Sequence, residues 1–217
     1  MRPLESYVRL QALHRTVLAN EEVATAWGTS ASATYHALAD LEADCLVRRL
    51  RRGVWAVPTQ WGRIIDALEV LPVLTRPYPS YGSLWTALAT HGLIDQIPRS
   101  FYAVSLDRAR VISTSIGEFQ VHAIHPDLFG GMVGESGSRA GMATPEKALF
   151  DTVYLLTVHR LKRLSLPEIT LTEDFDHPLL WSWVDRNPSG RLWTIITGRV
   201  RQLLATADSS HGRQGVV

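Results

Sequence analysis

Cysteine and lysine are both scarce in this 217-residue chain. The single cysteine, Cys45, excludes an intramolecular disulfide and any zinc site built on cysteines, which fits a reducing compartment. As a small apolar side chain it is expected to be buried. Only two of the 22 basic residues are lysines, and for scattered arginines a GC-rich coding genome explains that bias as readily as chemistry does. Bulk charge is lacking too: with a net charge of +1, any affinity for nucleic acid has to come from local clustering. No apolar run approaches the ~20 residues of a membrane span. The first twenty residues are charged and amphipathic throughout, unlike a secretory leader. A cytoplasmic, soluble protein is expected.

What is present is a core-forming composition with a polarised charge. Hydrophobic residues make up 46% of the chain, enough for one large or two small domains, and two are expected. From Asp44 to Arg63 five arginines face one acid, whereas from Glu168 to Arg186 five acids face one arginine. The basic cluster is concentrated in Leu46-Val-Arg-Arg-Leu-Arg-Arg-Gly-Val-Trp-Ala-Val57, where Arg48, Arg49, Arg51 and Arg52 precede Gly53 between two apolar runs. That pattern predicts a β-hairpin with a tight turn at Gly53. Four like charges on one short ladder repel one another, so the cluster points to an anionic partner rather than to structure. Guanidinium groups held by strands suit phosphates and narrow DNA grooves.

The residues before the hairpin give it a context. Leu10, Leu13 and Val17 recur at helical spacing over Glu5 to Leu18. Asn20 is expected to cap a second helix that ends at Trp27, with Gly28 in the left-handed position. Thr29 or Ser30 caps a third helix, whose apolar stripe is Ala31, Tyr35, Leu38, Leu41 and Cys45, with Glu42 reaching an edge. Two helices, a glycine turn and a basic hairpin follow the order of a winged helix-turn-helix. In that geometry Thr29, Ser30, Ser32, Ala33 and His36 face the major groove. The alternative for Thr29 and Ser30 is simple capping, and for His36 simple solvation. Asp40, Ala43 and Asp44 make the far end of the same face acidic.

Further on, Trp61 to Leu71 reads as a helix that Pro72 ends, and Pro77 and Pro79 stiffen the boundary after it. Ser80 is expected to cap a helix closing at His91-Gly92, followed by strands over Ser100 to Leu106, Arg110 to Ser115 and Glu118 to Ile124. Phe129 to Gly141 holds five glycines but lacks the lysine-serine ending of a phosphate loop, so a mobile loop is expected. Thr144-Pro-Glu-Lys147 starts a helix that docks in the core through Leu149, Phe150, Val153 and Leu156. Glu146, Lys147 and Asp151 have the spacing of surface ion pairing. His122 and His125 sit on opposite faces of a strand, which does not suit a metal. No catalytic triad, cofactor motif or metal pattern emerges, so neither enzyme activity nor a cofactor is expected. Helices around Pro178 to Val184 and Arg191 to Leu204 carry Trp181, Trp183 and Trp193, and a face with Arg191, Arg199 and Arg201 can reach a partner. The tail from Asp208 is expected to be disordered. The resulting division is residues 1–72, a proline-rich connector 73–79, residues 80–207 and a tail 208–217.

Two blocks carry a family resemblance. Tyr78-Pro-Ser-Tyr-Gly-Ser-Leu-Trp-Thr-Ala-Leu-Ala-Thr-His-Gly-Leu-Ile-Asp-Gln-Ile-Pro98 and Met142-Ala-Thr-Pro-Glu-Lys-Ala-Leu-Phe-Asp151 resemble the AbiEi family of bacterial antitoxins in content, order and spacing. The resemblance, with the N-terminal pattern, covers most of residues 1–156. It implies an α+β protein, a winged helix-turn-helix domain followed by a mixed α/β antitoxin domain, encoded in a type IV toxin–antitoxin operon. It further implies that the first domain represses the operon by binding inverted repeats in promoter DNA. The second domain would counter a nucleotidyltransferase toxin without a stable complex. Repression would then fall on the helix beginning at Thr29 and on Arg48, Arg49, Arg51 and Arg52. The other expectation the residues allow is a transcriptional regulator whose second domain senses a small molecule or a protein.

Overall fold

The structure, a computed structural model, describes residues 3–58, 65–158, 168–186 and 190–211. Among these are eight α-helices, a three-stranded antiparallel sheet near the N-terminus and a six-stranded mixed sheet. No helix among the described residues is long and apolar enough to cross a membrane.

Helix α1 (Pro3–Gln11) stops well short of the expected Leu18. His14 turns the chain at φ 49, and Val17–Ala19 forms strand β1. The strand wins because consecutive side chains can enter two different cores: Val17 joins one apolar cluster and Leu18 another. Helix α2 (Asn20–Trp27) ends at Gly28 with φ 65, as its sequence predicts. Its N-cap is Ala19, not Asn20, and Glu22 serves the cap by accepting from the Ala19 amide at 2.8 Å. Asn20 instead donates to Ala31 O at 2.9 Å. Helix α3 (Ala31–Ala43) is capped by Ser30, whose Oγ accepts from Ala33 N at 3.1 Å. It buries Thr34, Leu38 and Leu41, while Ala31 is exposed. Cys45 is exposed too, contrary to expectation: α3 has already ended, and a left-handed turn at Cys45 (φ 56) swings it outward as Val47 turns in.

Strands β2 (Arg48–Arg51) and β3 (Val54–Ala56) form the predicted hairpin around Gly53, with φ 77. The sheet order is β1-β3-β2. Both faces of this small sheet are covered. Leu18, Val47, Trp55 and Val57 pack with α1, α2 and α3, while Val17, Leu50, Val54 and Ala56 face the rest of the chain. Burial on both sides is why the run Val54-Trp-Ala-Val57 is apolar without a polar alternation.

Helix α4 (Ala67–Thr75) starts at the Asp66 cap and continues through Pro72 instead of ending there. Proline cannot donate to the carbonyl four residues back, Leu68 O. Ala140 N donates to that oxygen at 2.9 Å, so Leu68 O keeps a donor. Residues 61–64 of the expected Trp61 to Leu71 helix lie outside the described residues. Ser80 does not cap a helix: Ser80–Gly82 is strand β4, and α5 (Leu84–Thr90) begins after Ser83. β4 pairs along its length with β5 (Phe101–Ser105), which selects the extended state over a helical start.

Strands β6 (Arg110–Thr114) and β7 (Gly117–Ala123) fall within two residues of their sequence limits. With β8 (Met132–Val133) and β9 (Met142–Ala143) they complete a sheet of order β6-β7-β5-β4-β9-β8. The glycine-rich stretch is therefore not a loop throughout. It holds β8, and Arg139 ties it to the Asp66 carboxylate at 2.8 Å. Helices α6 (Pro145–Val158), α7 (His177–Asp185) and α8 (Gly190–His211) cover one face of the sheet. α8 carries the chain past Asp208 as helix to His211, and the remainder of the expected disordered tail lies outside the described residues.

The six-stranded sheet is two-faced as well. Ala103, Ile112, Phe119 and Val121 share the cluster of Val17, Leu50, Val54 and α4, whereas Tyr81, Val104 and Ile124 join the cluster of α5 to α8. One apolar layer thus fills the space between the two sheets.

Candidate nucleic-acid interface

The residues singled out for DNA converge partly. Thr29, Ser30, Ser32, Ala33 and His36 are all exposed at the start of α3, and Arg48, Arg49, Arg51 and Arg52 are all exposed on the hairpin. Two of the α3 hydroxyls are occupied locally. Ser30 caps the helix, and Thr29 Oγ1 shares a hydrogen bond of 2.7 Å with Thr34.

The arginines divide into two pairs. Arg49 donates to Tyr35 Oη at 2.8 Å, lies 3.6 Å from the Glu42 carboxylate and sits over the Trp55 ring at 6.0 Å. Arg48 donates through Nη2 to Ser115 O at 2.8 Å, across to the β6–β7 turn. Arg51 and Arg52 have no hydrogen bond or ion pair among the described residues. They present two unpaired guanidinium groups at the hairpin tip. Register shifts between Arg49 and Arg51. Leu50, 2% exposed, turns into the shared apolar layer there, leaving arginines on both sides of it at the surface.

The supports of these arginines lie outside the basic cluster. In the sequence Tyr35 reads only as an apolar-stripe residue and Trp55 only as part of an apolar hairpin run. Yet Tyr35 packs edge-on against Trp55, with ring centroids at 5.7 Å, and holds Arg49 with its hydroxyl. Glu42 does reach an edge, as expected, and accepts from Arg49 N at 3.2 Å. Ser115, 66 positions from Arg49 and 67 from Arg48, carried no signal at all.

A second polar cluster lies inside the C-terminal part, on a helix that docks in the core as expected but whose charged residues were expected at its surface. Lys147 and Asp151 on α6 are fully buried and paired, and Glu146 is 4% exposed. Asp151 also accepts from Ser83 Oγ at 2.7 Å and Tyr81 Oη at 3.0 Å. The Lys147 ammonium faces the rings of Trp183, Phe150 and Tyr81 at 4.7, 5.1 and 5.6 Å. Desolvation pushes the Asp151 carboxyl up and the Lys147 ammonium down, each opposed by its partner's charge. These charged residues are not at the surface because α5, α7 and α8 pack around the helix and cover its polar side as well as its apolar one.

One open groove of about 460 Å³ runs between α5 and the β6–β7 turn, lined by Ala89, Ile97, Arg99, Phe101, Ile116 and Glu118 among others. Among the described residues no three His, Cys, Asp or Glu side chains converge as a metal set. No family model matches the chain, and no curated protein matches it.

Proposed function

We propose that the chain is a DNA-binding repressor that doubles as an antitoxin. Its first part would be a winged helix-turn-helix in which α2 and α3 form the helix pair and β2–β3 the wing. The observation that carries the reading is the pair of exposed guanidinium groups of Arg51 and Arg52, without a partner among the described residues, at a hairpin tip that Asn20 links to the start of α3 through Gly53 O and Ala31 O. Such groups supply phosphate or minor-groove contacts while Ser32, Ala33 and His36 enter the major groove. The antitoxic role against a nucleotidyltransferase toxin, and binding to inverted repeats in the operon's own promoter, come from the AbiEi resemblance of residues 78–98 and 142–151. A cytoplasmic location goes with both roles.

The test replaces Arg51 and Arg52 by alanine in the full chain. Binding to a duplex taken from upstream of its own coding sequence should be lost. Protection of cells co-expressing the neighbouring gene should remain. Unchanged duplex binding would overturn the DNA reading, and a neighbouring gene product without toxicity would overturn the antitoxin reading. The groove beside the β6–β7 turn favours one second reading, a regulator whose C-terminal part senses a small molecule or a protein. In that case, metabolite or protein addition would change duplex affinity.

A further inference from the structure

We infer that Ser115, in the turn between β6 and β7, is a positioning residue for the arginine hairpin, so that the second part of the chain sets the geometry in which the hairpin meets DNA. The inference rests on the DNA reading above.

Three hydrogen bonds meet at this one residue. Its amide donates to Leu50 O at 2.7 Å, its hydroxyl donates to Arg49 O at 3.0 Å, and its carbonyl accepts from Arg48 Nη2 at 2.8 Å. All three partners lie on β2, the strand at the open edge of the small sheet, which otherwise pairs only with β3. Directly beneath, Leu50 packs in the same apolar layer as Ile112 and Phe119, from the strands that lead into and out of the turn. An edge strand paired on one side only has little to fix it. Here its outer edge is pinned by polar bonds and its inner face by apolar contact.

Arg51 and Arg52, exposed at the hairpin tip, gain most from this. Arg51 follows Leu50 immediately, and Arg52 precedes Gly53, so fixing Leu50 O and Arg49 O fixes the strand from which both project. Pinning raises the fraction of molecules whose hairpin is already in the binding arrangement, and apparent affinity scales with that fraction. Arg48 acts as a strut in this arrangement, since its guanidinium is engaged with Ser115 O.

The experiment is a graded series at position 115 in the full chain, measured by anisotropy on the upstream duplex and on a scrambled duplex of equal composition. Ser115→Thr keeps both donors, Ser115→Ala removes the hydroxyl, and Ser115→Pro removes the hydroxyl and the amide hydrogen. Proline suits the first position of such a turn, and the extended Thr114 before it suits proline, so the fold is kept. A Tm close to that of the parent checks this. Affinity for the upstream duplex should be kept by Thr, fall about threefold in Ala and about tenfold in Pro, by the usual worth of one and two such bonds. The salt dependence of binding should flatten in Pro, a change that a purely structural residue would not cause. Parental affinity and salt dependence in both Ala and Pro would overturn the inference. The double variant R51A/R52A separates the two readings: if it abolishes binding while the 115 series does nothing, only the positioning role fails, and if it too binds like the parent, the DNA reading fails.

Discussion

Lys147 and Asp151 stand one helical turn apart on α6 and form an ion pair with neither side chain open to solvent. Each was costly to bury, and each is tolerable only because the other is there. Removing the acid should therefore be the worse change. Asp151→Ala leaves an ammonium among aromatic rings and should cost about 3–5 kcal/mol in urea unfolding. Lys147→Met should cost less, because Asp151 keeps Tyr81 and Ser83 as donors and can take up a proton. In that variant the carboxyl, already raised by desolvation, loses its counter-charge and rises further. A raised folded value means stability that is full at acid pH and lost as pH rises, so Lys147→Met should be more stable near pH 4 than at pH 7 relative to the parent. A pH-independent difference would contradict this.

Glu22 has the opposite sign. Desolvation raises its carboxyl, but hydrogen bonds from Arg76 and the Ala19 amide, with the charges of Arg15 and Arg76, outweigh it and leave the group lowered from 4.5. A lowered value contributes stability above the unfolded value and loses it as pH falls through the folded one. Glu22→Gln should thus be less stable than the parent at pH 7. The gap should close as the buffer is taken below 4.5, measured as Tm against pH.

Gly131 and Gly28 test strain against crowding. Both are left-handed, at φ 69 and φ 65. An added Cβ at Gly28 meets nothing within 4 Å, whereas at Gly131 it would lie 2.6 Å from the Trp183 ring and 2.9 Å from the Lys147 stem. Gly28→Ala should cost about 1 kcal/mol of backbone strain, and Gly131→Ala about 2–4 kcal/mol once overpacking is added. Equal costs in denaturant unfolding would show that the loop over Lys147 yields freely.

The arginine pairs should differ in salt titrations. If Arg51 and Arg52 each neutralise one phosphate, their joint replacement flattens the log-log slope by about 0.9 per contact. Replacing Arg48 by methionine should lower affinity with a smaller change of slope, since its guanidinium is held by Ser115. A slope change at Arg48 equal to that at Arg51 would make it a phosphate ligand as well.

The local pieces of the fold were legible where chemistry is local. Gly28, Gly53, the Ser30 cap and the Thr144-Pro-Glu start all act on neighbouring backbone, and the strands β5 to β7 announced themselves by β-branched and alternating residues. What escaped depended on contacts distant in sequence. Val17 became a strand because β3 pairs with it, Pro72 stayed in a helix because Ala140 takes the freed carbonyl, and Lys147 went inside because three helices cover it. The same holds for the candidate site. Its arginines were visible as a cluster, but which of them are engaged depended on Tyr35, Glu42 and Ser115.

The apolar layer shared between the two sheets limits how this chain can be recombined. A segment ending near Thr75, moved to another protein, would carry Val17, Leu50, Val54, Ala56 and the apolar side of α4 as a half-covered greasy layer, with Ala103, Ile112, Phe119 and Val121 left behind. Chimeras that keep strands β5 to β7 with the N-terminal helices should stay soluble, and those joined in the Arg76 to Pro79 stretch should aggregate. Because residues of both sheets share that layer, a transplanted piece has to keep the two together to stay covered.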